Sequence, residues 1–74
     1  MQIEGKELDA SDRNRHVIYV PMHAHGDSNH PHCEGGKISS WNDKYVFVKY
    51  LLRSKEAYQE TGIATDPTDL IWAK

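Results

Sequence analysis

Apolar residues along this chain fall in short β-branched and aromatic runs separated by turn formers. The run His16-Val17-Ile18-Tyr19-Val20 stops at Pro21, so it predicts a strand that ends or reaches a sheet edge there, because proline has no N–H to give a ladder. Lys37-Ile38-Ser39-Ser40-Trp41 and Tyr45-Val46-Phe47-Val48-Lys49-Tyr50 flank Asn42-Asp43-Lys44 and predict a hairpin. A three-residue loop sets Trp41 opposite Tyr45 and Ile38 opposite Val48. One face then carries Ile38, Ser40, Val46, Val48 and Tyr50, and the other carries Ser39, Trp41, Tyr45 and Phe47. A slip of one residue would mix the two sets.

The flanking segments are weaker patterns. Residues 1–14 are polar, with Ile3 and Leu8 as the anchors, and predict a loosely held, flexible arm ending in a turn at Asp12-Arg13-Asn14. Residues 51–60 predict a short helix, with Ser54 as N-cap and Gly62 as the stop. Ile63-Ala64-Thr65 predicts a short strand. Asp66-Pro67-Thr68-Asp69 offers a cap, a proline at the first helical position and an acid in the first turn, and predicts one turn of helix carrying Leu70, Ile71 and Trp72. Together these predict a mostly β, small and strongly bent barrel over residues 15–74, with a short helix or helical turn near the C-terminus. The alternative is an open α+β sheet with a 52–61 helix packed on one face.

Between the first strand and the hairpin lies a loop unlike the rest. Residues 20–36 hold four of the five histidines, the only cysteine, two of the three prolines and three of the five glycines. His23, His25, His30, His32 and Cys33 are all zinc-compatible, and Asp27 and Glu34 could add oxygens. Their spacing fits no standard zinc pattern, so the loop reads first as a hydrogen-bonded knot with no obligatory cofactor. The His23-Ala24-His25 triplet after a strand is similar to the start of amidohydrolase barrels, but those draw further ligands from a far longer chain. Cys33 is a candidate nucleophile with His30 or His32 as base, but a lone cysteine beside a glycine pair is more often a packed or merely exposed thiol. The expectation is therefore a protein that is not an enzyme.

Composition narrows the setting. Seventy-four residues make one domain, and a chain this short buries only about 60% of its unfolded surface. A metal, a partner or a second copy in a homodimer would supplement so small a core. The net charge of −2 carries no global nucleic-acid footprint, although Lys37, Lys44, Lys49, Arg53 and Lys55 all lie in one half of the chain. A lone cysteine predicts a reducing compartment. The absence of an apolar signal core or membrane-length stretch predicts a cytoplasmic location and no membrane partner. On the hairpin, Trp41 and Tyr45 with Lys37, Lys44 and Lys49 form a candidate binding patch for a protein or for a nucleotide or nucleic acid.

The run from Val17 to Tyr50 resembles a group of small proteins encoded by bacteriophages and prophages. The residues that carry the resemblance are Tyr19-Val20-Pro21, His23 to Asp27, His30 to Glu34 with Gly36, Ser39 to Asp43, and Val46 to Lys49. The resemblance implies a small barrel of the Src-homology-three (SH3-like) and KOW types. It also implies a binding module that engages a host protein, including a host defence component, in the host cytoplasm. His25 and His32 fall at variable positions of that pattern. This leaves His23, His30 and Cys33 as the implied metal set for a zinc, with Asp27 and Glu34 as further members of the structural loop.

Overall fold

The alternating positions of residues 34–52 become the two longest strands of the protein. They are β4 (Glu34–Trp41) and β5 (Val46–Leu52), an antiparallel pair. The computed structural model describes residues 1–27, 29–52 and 57–73. Around the central pair lie β1 (Gln2–Ile3), β2 (Lys6–Glu7), β3 (His16–Tyr19), β6 (Ala57–Tyr58), β7 (Ile63–Thr65) and β8 (Leu70–Trp72). The main sheet runs β6-β5-β4-β3-β8, with β7 beside β6 along the same edge of β5, while β1 and β2 form a separate hairpin. The fold is mostly β, as expected. Among the described residues no sheet closes on itself, so the expected barrel is here an open antiparallel sheet.

One side of the sheet is packed. Val17, Ile38, Val46, Val48, Tyr50 and Leu70 meet Ile3 and Leu8 in the main core, and six of these eight are less than 3% exposed. The stretch 1–14, expected as a loose arm, supplies two of them. Glu4 (φ 49) and Gly5 (φ 80) form a two-residue turn with both dihedrals left-handed, the geometry that matches the twist of a tight hairpin. A 3-10 turn at Ala10–Asp12 follows, with Asp9 as its cap. Buried Asp12 then fastens this segment, accepting from Lys6 Nζ at 2.6 Å, Arg15 Nη1 at 2.8 Å and the Asp9 N–H at 3.0 Å. Trp72 is bound at the far end of the chain, its indole N–H donating to the Ile3 carbonyl at 3.1 Å.

The hairpin keeps the expected Ile38–Val48 pair but not the expected turn. An irregularity between Ile38 and Ser40 sets Ser40 opposite Phe47 and Trp41 opposite Val46, leaving a four-residue connection over 42–45. This is a β-bulge, one extra residue that reverses the facing of everything beyond it. Trp41 therefore turns to the core side, half-buried, with the Arg13 guanidinium 5.8 Å from its ring. The expected aromatic face is divided.

Two expected helices also change. Of residues 51–60, Leu51 and Leu52 extend β5, and Ala57 and Tyr58 form β6. Ser54 and Lys55 lie outside the described residues. Gly62 is not a helix stop. A Cβ there would stand 2.9 Å from Phe47 Cβ, so glycine allows the chain to cross β5 closely. At Asp66 the capping is as expected, its carboxylate accepting from the Thr68 N–H at 2.9 Å, but the turn ends at Asp69. Leu70, Ile71 and Trp72 continue as β8 because Tyr19, Ile18 and Val17 offer them a ladder.

Candidate functional site: the histidine loop and the basic groove

The loop begins where Val20 and Pro21 are buried at the end of β3. Met22–Ala24 makes one 3-10 turn, and His25 (φ 50) and Gly26 (φ 78), both left-handed, reverse the chain. Asp27 anchors the return. Its carbonyl accepts from the His30 N–H at 3.1 Å and from Cys33 Sγ at 3.3 Å, and its carboxylate accepts from the Asn29 N–H at 2.9 Å. The Cys33 N–H donates to the His30 carbonyl at 3.0 Å. Cys33 is buried with Val20 and Ala24 in a second apolar cluster, against which Ile18 and Ile71 pack.

Burying Cys33 turns its neighbour His32 outward. The imidazoles of His23, His30 and His32 converge, and one nitrogen from each lies within 4.8 Å of the other two. His23 Nε2 and His32 Nδ1 share a hydrogen bond of 2.7 Å, and His30 Nδ1 accepts from the His32 N–H at 3.1 Å. The structure thus groups His23 and His30 with His32, in place of the Cys33 of the implied set. Glu34 opens β4, exposed, beside a hollow that it shares with Tyr19, Pro21, His23, Pro31 and His32.

The outer side of the sheet carries a second feature. Ile18 lies opposite Gly35, Tyr58 opposite Leu51, and Leu51 one step beyond the Gly36–Tyr50 pair. Tyr58, Leu51, Gly35 and Ile18 therefore form one row across four strands, and a Cβ at Gly35 would meet nothing within 4 Å. The missing side chain leaves a notch in an apolar row, within a groove of about 670 Å³. The adjacent row is basic: Lys49, Lys37 and His16 lie in register. Lys37 Nζ sits 4.6 Å from the Tyr58 ring centroid, and His16 Nε2 lies 2.9 Å from the Tyr58 hydroxyl. Arg15 lines the same groove, and no acid does among the described residues.

The expected binding patch is split between two places. Lys37 and Lys49 belong to the groove side. Lys44 and Tyr45 are exposed in the hairpin turn, where Asn42 Oδ1 accepts from both their N–H groups at 2.8 Å. Trp41 is turned away by the bulge. Sequence reasoning missed Gly35, His16, Arg15 and Tyr58. The Gly35-Gly36 pair was the available signal, since glycine inside a strand marks a close approach or an open space. Tyr58 was hidden in the segment read as helix. No protein-family model, curated protein or solved structure matches the chain.

Proposed function

We propose that this is a non-catalytic binding module that engages a partner protein through the outer side of its sheet. The observation that carries the reading is the notch at Gly35, flanked by Tyr58, Leu51 and Ile18, with Lys37 and His16 in the adjacent row. Such a surface suits an apolar anchor with a carboxylate next to it, because the side chain enters the notch while the anion meets the Lys37 ammonium. The phage-like pattern of residues 17–50 supports a host protein, including a defence component, as the partner class. The open sheet is taken as a variant of the SH3-like plan that the same pattern implies.

The test is capture of a partner from bacterial lysate by the wild-type chain and by Gly35→Leu. A leucine at 35 has room on the outer side, so circular dichroism should be unchanged while capture is lost. Equal capture by both proteins, or none by either, would overturn the reading. A nucleic acid or nucleotide is the second reading, supported by the Lys49–Lys37–His16 row beside the Tyr58 ring. It would show as oligonucleotide binding that weakens steeply with salt and is diminished by Lys37→Glu.

A further inference from the structure

We propose that His23, His30 and His32 form a site for one divalent late-transition-metal ion, zinc above all, which ties the 22–24 turn to the 30–33 turn. Zinc holds imidazole nitrogens at about 2.0–2.1 Å, so two nitrogens on one tetrahedral ion stand roughly 3.3 Å apart. The three ligand atoms here span that value. One pair is at 2.7 Å and all three lie within 4.8 Å, so rotation of partly exposed rings suffices to place them. His23 and His32 share a single hydrogen bond between two nitrogens. An ion replaces that bond with a contact to each.

The backbone around the cluster points the same way. Three consecutive devices bring the second turn back onto His23: left-handed His25, left-handed Gly26 and the double acceptor at the Asp27 carbonyl. A histidine in the left-handed region is strained, and such strain persists only where surrounding structure holds it. His25 thus serves by its backbone, and its imidazole is not a ligand. Cys33 serves as the buried tie. The hollow bordered by Tyr19 and Glu34 leaves a fourth position for water. Three imidazoles also accept copper and nickel, so availability rather than geometry selects the ion.

The experiment uses tag-free protein stripped with a chelator and titrated with zinc chloride by calorimetry, with imidazole nitrogen shifts followed by NMR. One ion per chain is expected. His23, His30 and His32 should shift together, and His16 and His25 should not. His32→Asn should weaken binding at least tenfold, whereas His25→Gly should bind as tightly as the wild type. Four results would overturn the site: no saturable binding, half an ion per chain, equal loss in both variants, or shifts at His25 in place of His32. The wild-type shifts decide the matter even if a variant fails to fold.

Discussion

Asp12 collects the first fifteen residues of the chain around one carboxylate. The hydrogen bond from Lys6, then that from Arg15, then the Asp9 N–H hold it well below the usual carboxylate range. A carboxylate with a lowered folded-state pKa contributes stability above the unfolded value, near pH 4, and loses it as the pH falls toward the folded value. Asp12→Asn should therefore lower the thermal midpoint by several degrees at neutral pH. The wild type should lose more stability than the variant between pH 5 and pH 2, and melting curves across that range check the sign. Equal slopes would mean that Asp12 is not the titrating anchor. None of this was legible beforehand. Asp12 was read as a turn residue, and its burial depends on Lys6 and Arg15 closing over it.

Neighbouring glycines in β4 separate the two sides of the sheet. A Cβ at Gly36 would stand 2.6 Å from Val48 Cγ1 and 2.9 Å from the Lys49 carbonyl, whereas one at Gly35 meets nothing. Gly36→Ala should cost about 1–3 kcal/mol by overpacking, and Gly35→Ala should stay within about 0.5 kcal/mol. Urea denaturation of the pair is the check. Strand segments were legible where β-branched residues ran together, as in β3, β5 and β7. The bulge was not, because a single extra residue leaves local composition unchanged while reversing every later facing. The Glu4-Gly5 turn was equally hard to see, since tight hairpins favour Asn or Asp before the glycine. β6 and β8 were read as helix because their local residues tolerate it, and only pairing with Leu51 and Leu52 or with residues 17–19 decides otherwise.

An open sheet has edges, and β8 is one of them. The Trp72 N–H faces away from β3 and donates to Glu4 Oε1 at 2.7 Å, so a side chain occupies a position that another strand could take. Glu4→Ala should free that donor and allow edge-to-edge pairing. Sedimentation should then show stronger concentration-dependent association than for the wild type. Unchanged sedimentation would mean that the edge is protected by other means. At this scale the sequence conveyed the mostly β class but not closure, because closure depends on which edge strands pair, and local residue patterns do not record that. The candidate site was half legible. The loop and two of its three clustered histidines were visible, whereas the groove required four strands in register.

Trp72 also reaches the Ile3 carbonyl, and these two contacts join residues 3 and 4 to residue 72. The contacts bridge 68 and 69 residues of sequence. Without Trp72 in place, Glu4 has no edge to cover and the 1–8 hairpin has only part of its packing. Such non-local contacts slow folding, because the entropy of closing the loop is lost before the contact is made. Docking of the 1–8 hairpin against β8 should therefore follow formation of the β3–β4 and β4–β5 ladders, which join segments nearer in sequence.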